Sequence, residues 1–133
     1  MISVPERRWK VYTGAGSFLF NRCGHIALIT DRDQFIAVSG GLKNLLGKSI
    51  SNDMEEKIDH RESVVATKGD RNFIPIHHDV DNIHHEAISP IICEGDVIGA
   101  VILVETDHKS RMGEVEQKLI QSAAGFLGRQ MEQ

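Results

Sequence analysis

Nowhere does this chain gather the roughly 18 to 20 consecutive apolar residues that a membrane-spanning helix needs. No charged-then-apolar leader opens it either, so the sequence predicts a cytoplasmic domain without a membrane partner. Cysteine is scarce. Cys23 and Cys93 are the whole supply; each sits in an apolar context without repeating spacing, which reads as reduced, packed thiols. Positive charge is also short. The formal net charge is -4, the lysines and arginines are scattered, and the one basic cluster, Arg7, Arg8 and Lys10, reads as solvated linker. Phosphate neutralisation needs a clustered basic face, so direct nucleic-acid binding by this segment is not expected.

Catalytic signatures are missing as well. There is no GxSxG elbow, no HExxH and no Cys-His spacing typical of a nucleophile. Thr13-Gly14-Ala15-Gly16-Ser17 has neither a preceding strand nor a Gly-Lys-Ser/Thr ending, so it is not a phosphate loop. The expectation is a chain with no enzymatic activity and no cofactor.

What is present is enough for one ordinary domain. A length of 133 residues buries a real core without metal or disulfide staples. Met1 to Pro5 reads as a linker edge, leaving 6–133 as the domain. A helix follows, with Val11, Ala15, Phe18/Leu19 and Arg22 at helical spacing and Gly24 as its cap. Its two internal glycines weaken it by roughly 1 kcal/mol each relative to alanine, which ties its order to docking against the C-terminal helix. His25 to Thr30 and Gln34 to Ser39 form a hairpin around Asp31-Arg32-Asp33. Gly40-Gly41 releases the chain into a helical turn around Leu42 to Leu46. Ser49 or Ser51 caps the next helix, where Ile50, Met54 and Ile58 share a face. Ser63 to Thr67 is either strand or helix end.

Phe73-Ile74-Pro75-Ile76 reads as an edge strand, because proline removes a ladder donor. His77 to Glu86 then holds four histidines among its carboxylates. Adjacent histidines on extended backbone point to opposite faces, so the spacing argues against a metal site and for a polar loop or a pH-sensitive lip. A metal-dependent enzyme built on this loop is the least favoured alternative. Ala87 to Cys93 and Val97 to Val104 form a second hairpin around Gly95. The almost continuously apolar VIGAVILV predicts a central strand covered on both faces.

The last helix carries two stripes. Val115, Leu119, Ser122/Ala123, Phe126 and Met131 make one, and Ile120, Ala124 and Leu127 make the other. One stripe suffices to pack on a sheet. The second predicts a homodimer through the terminal helices, with Ala124, Gly125 and Gly128 permitting close approach. The element order gives an α+β fold: an antiparallel sheet flanked by helices, with the N- and C-terminal helices packed together.

PIICEGDVIGAVILV resembles the final hairpin of GAF domains, with its Pro-Ile pair, glycine turn and Ile-Gly-Ala strand. GEVEQKLIQSAAGFLGRQMEQ, GHIALITDRDQFIAVSG and the Asp59-x-Arg61-x-Ser63 pattern resemble the C-terminal domain of the stage V sporulation protein T family, AbrB-type transcription regulators of spore-forming bacteria. The likeness runs from about Gly24 to Gln133 and is poor from Thr67 to His85. In that family a swapped-hairpin DNA-binding domain precedes the GAF domain. None is read here, which leaves an excised sensor domain or a stand-alone relative.

The resemblance implies a regulatory module that binds an unknown small-molecule effector between the sheet and the middle helices. Ser39 and Gly40, at the end of the second strand, are expected on one side of that pocket. Asp59, Arg61 and Ser63 are expected opposite, Arg61 offering a planar fork for a carboxylate or phosphate. Phe73 and the histidine loop are expected as a lid. The alternative is a structural dimerisation module whose pocket is filled by its own side chains.

Overall fold

The almost unbroken apolar run near the C-terminus becomes the middle strand of the sheet, with partners on both edges and helices or loops on both faces. A computed structural model describes residues 9–107 and 112–132. The expected linker over Met1 to Pro5, and Arg7 and Arg8 of the basic cluster, lie outside them. In chain order the elements are α1 (Trp9–Cys23), β1 (Ile26–Thr30), β2 (Phe35–Ser39), a 3-10 turn (Lys43–Leu45), α2 (Asn52–Asp59), β3 (Val64–Thr67), β4 (His85–Cys93), β5 (Asp96–Glu105) and α3 (Glu114–Met131).

The five strands run in the order β2-β1-β5-β4-β3 and pair antiparallel throughout. The β4–β5 reversal places Cys93 opposite Asp96, with both turn residues at positive φ, 51° at Glu94 and 85° at Gly95. That pair of left-handed residues is what a two-residue hairpin turn requires. A bulge in β2, where Thr30 faces Phe35 but Ile29 faces Ala37, bends the edge strand.

Alternation along the strands separates two cores. On one face Ala27, Ile29, Ala87, Ile91, Val101 and Leu103 pack with Leu19 of α1 and Ile120, Ala124 and Leu127 of α3. On the other, Leu28, Phe35, Ile88, Ala100, Ile102 and Val104 pack with Met54 and Ile58 of α2 and with Ile76 and Ile83 of the long β3–β4 connection. Two glycines permit these close contacts. A Cβ at Gly99 would collide with the Thr30 carbonyl oxygen, and one at Gly128 with the Ile92 carbonyl oxygen.

Gly128 therefore serves the packing of α3 on its own sheet, and so does Ala124, at 3% exposure. This corrects the expectation that both leave room for a second chain. The segment Phe73-Ile74-Pro75-Ile76 is also not a strand; the edge beyond β4 is β3, which resolves the ambiguity over Ser63 to Thr67 in favour of strand. Its polar backbone is satisfied elsewhere. The Ile74 N–H goes to the Glu86 side chain, and the Pro75 and Ile76 carbonyls accept from the Ser51 hydroxyl and N–H.

Candidate functional site

Ser51 opens α2 and ties it to the β3–β4 connection. Its Oγ accepts the Met54 N–H at 3.0 Å and donates to the Pro75 carbonyl at 2.7 Å. A hydroxyl in extended backbone just before a helix is suited to the first bond; the second pins the connection to the start of α2. Beneath that connection lies a cavity of about 410 Å³, walled by Phe73, Ile74, Ile76, Val80 and Ile83 and reached by Lys68, His77 and Glu86.

Glu86 is the unusual member. It lies on β4, two residues before Ile88, and alternation turns it to the same face as Ile88. It is fully buried. Oε1 accepts the Ile74 N–H at 2.6 Å, while Oε2 is buried with no hydrogen-bond partner. Burial pushes its pKa up from 4.5 to about 8, against the opposing pull of the Ile74 N–H and of Lys57. The carboxyl is therefore largely protonated at neutral pH.

Above it, His77 is buried as well. Its Nδ1 accepts the Asp79 N–H at 3.0 Å, which leaves the other ring nitrogen as the N–H of the neutral tautomer. Burial lowers its pKa below 6.5, with His78 acting in the same direction and Asp79 against it. His78 stacks on the His77 ring with centroids 4.3 Å apart. The two rings thus share a side, because the segment is a turn and not the extended backbone assumed from the sequence. With Asp79 they form a group whose candidate ligand atoms all lie within 4.8 Å, but His78 and Asp79 are exposed.

Of the six residues expected to line one pocket, the cavity takes only Phe73. Ser39 pairs with Ala27 and shares its face, with Oγ 3.4 Å from that of Ser17 on α1. Together with Gly40 it lines an open groove of about 550 Å³ beside α1, not the α2 side of the sheet. Asp59 pairs with Arg32 at 2.7 Å. Arg61 is exposed at φ 62° and makes no ion pair among the described residues. Ser63 donates to Ser89 Oγ at 3.0 Å, on the face toward α3 and at the opposite edge from Ser39. The expected convergence fails because three strands separate β2 from β3.

Val80, Ile83 and Glu86 fell within the histidine loop expected as a lid, and Ile74 and Ile76 within the expected edge strand; none of the five was singled out as a wall residue. Beginning β4 at Ala87 put Glu86 in the loop; beginning it two residues earlier, as it does, places a carboxylate at an inward position of an apolar strand.

A second concavity of about 490 Å³ runs between α1 and α3, lined by Val11, Ala15, Phe18, Leu119, Ala123 and Phe126. Phe18 and Phe126 are 56% and 45% exposed. The Ile120, Ala124 and Leu127 stripe faces the sheet; in the other stripe Leu119, Ala123 and Met131 are half-buried against the same core, while Val115 and Phe126 stay exposed.

Residues 15–132 match the model of the family described as stage V sporulation protein T C-terminal, transcription factor. The chain belongs to that family. It is 44% identical over 117 residues to stage V sporulation protein T of Bacillus subtilis (strain 168), an alignment covering 86% of this chain and 64% of that protein. The chain thus spans less than two thirds of that relative. Its fold is that of GAF domains. The cofactor-binding GAF domain of the nutrient sensor CodY from Clostridium difficile superposes with a TM-score of 0.67 at 10% identity, covering 90% of this chain and 83% of that one. The GAF domain of a phosphoenolpyruvate-protein phosphotransferase from Coxiella burnetii gives 0.68 at 14% identity, covering 92% and 81%. At such identities the likeness speaks to fold alone. Among the described residues no helix is long and apolar enough to cross a membrane.

Proposed function

We propose that this stage V sporulation protein T C-terminal domain is a non-catalytic sensor that binds a small molecule in the Glu86 cavity and dimerises through α1 and α3. The reading rests on the cavity: a largely apolar-walled space reached by a few polar side chains, among them Glu86, one of whose buried oxygens has no partner. Such a space holds a small ligand by its apolar body and orients it by a small number of polar contacts. A pocket filled by the protein's own side chains, as in the structural alternative, would leave neither the space nor the oxygen.

Ligand binding reaches the rest of the domain through short links. The 73–83 segment is held to β4 by Glu86 and to α2 by Ser51, so a ligand that tightens the segment also biases α2. The exposed aromatic groove between the terminal helices is the surface offered to a second copy, and coupling between cavity and interface would follow through the shared sheet. A cytoplasmic place of action and a role in transcription are proposed with it, on the strength of the family. Amide NMR against a metabolite collection tests the sensor reading. A true effector shifts Ile74, Ile76 and Ile83 together, whereas a collection that moves none of the three refutes ligand sensing.

A further inference from the structure

The Ile74 N–H occupies one oxygen of Glu86 and so dictates the role of the other. An N–H donor 2.6 Å away fixes Oε1 as an acceptor. The proton of a neutral carboxyl then resides on Oε2, which is buried without a partner on a side chain whose residue lines the cavity. A buried hydroxyl with nothing to donate to is a standing penalty that a ligand acceptor relieves. We infer that Glu86 Oε2 is a hydrogen-bond donor that selects small molecules bearing an acceptor oxygen, such as an amide carbonyl, on a branched apolar body, and rejects the same body carrying an ammonium group.

The inference rests on the ligand-sensing reading and names its chemical class. The apolar half of the specification comes from Phe73, Ile74, Ile76, Val80 and Ile83. The polar half depends on what faces the carboxyl from each packed element. On the neighbouring strands its register partners are Val104 of β5 and Ala66 of β3, which bring no charge. From α2 comes Lys57. From the β3–β4 connection come Lys68, whose Nζ donates to the Asp81 carbonyl, together with His77, His78 and Asp81, which also line the cavity. The nearby lysines disfavour a second cation. Burial keeps the carboxyl protonated up to about pH 8, so the donor is in place at neutral pH and disappears in mild base.

Isovaleramide and isoamylamine share one branched skeleton and differ in the polar end, which makes them suitable probes. Their affinities are measured by amide NMR on the wild-type domain and on E86Q and E86L, at about pH 6.5 and about pH 9.5. The expected result is binding of the amide, at least roughly tenfold tighter than the amine, that weakens roughly tenfold or more at the higher pH. In E86Q, whose side-chain amide keeps both the acceptor and a donor, amide binding is retained and loses its pH dependence. In E86L it is lost. Preference for the amine, or amide binding that ignores pH in the wild type, overturns the donor assignment while leaving the sensor reading intact. Failure of both probes to move Ile74, Ile76 or Ile83 also overturns the donor assignment, whereas the sensor reading falls only if the metabolite collection moves none of the three.

Discussion

Glu86 ties stability to ligand chemistry within one side chain. Its folded pKa is about 8 against 4.5 for the free group, so the folded state holds the proton more tightly. Its contribution is therefore intact below about pH 4.5 and is lost as pH rises through about 8. A rise of this size corresponds to roughly 3 to 5 kcal/mol. Glu86→Gln is isosteric and does not ionise, and is expected to remove this loss. Urea unfolding at about pH 5 and about pH 9 should show a decline for the wild type that the variant lacks; parallel declines would mean the carboxyl is not held neutral. His77 acts in the opposite sense. Its lowered pKa withdraws stability as pH falls below 6.5. Neither effect was legible in the sequence, since both depend on burial created by a connection whose path periodicity does not reveal. The hairpin turn, by contrast, was legible, because Glu94-Gly95 between two apolar runs has few other conformations open to it.

Among elements, α2 and the 73–83 segment stand or fall together. Ser51→Ala removes the helix cap and the bond to the Pro75 carbonyl in one step. The expected cost is about 1 to 2 kcal/mol, with faster hydrogen exchange confined to α2 and residues 73–83; protection unchanged there would show the tether to be incidental. The capping serine was among the two foreseen. The segment it holds was misread as a strand because proline fits an edge equally well, and only the Glu86 and Ser51 contacts distinguish the two. In α3 the two stripes were foreseen, but their assignment required the sheet: Ile120, Ala124 and Leu127 face inward, while Phe126 stays 45% exposed. Close approach by Gly128 is an intramolecular device, which a sequence pattern alone does not separate from an intermolecular one.

At the scale of the whole molecule, an antiparallel five-stranded sheet carries a ligand-sized cavity on one face and an exposed aromatic groove on the other. The order of elements was readable because each strand and helix announces itself locally; the site was not, because Ser39 and Ser63 sit at opposite edges of a sheet whose strand order follows from pairing over long separations. Phe126→Asp places a charge in the α1–α3 groove without touching either core. Light scattering is expected to give a dimer for the wild type and a monomer for the variant, with unfolding temperature changed little. A wild-type monomer at micromolar concentration would refute the helix-mediated dimer.

The claim that the Glu86 cavity is the sensory site is tested most directly by thermal shift on the wild type and on Val80→Trp, which fills the space from a half-buried wall position. An effector at a hundred times its dissociation constant should stabilise the wild type by about 2.7 kcal/mol and leave the filled variant unmoved. Equal stabilisation of both proteins, or none of either, would contradict the account.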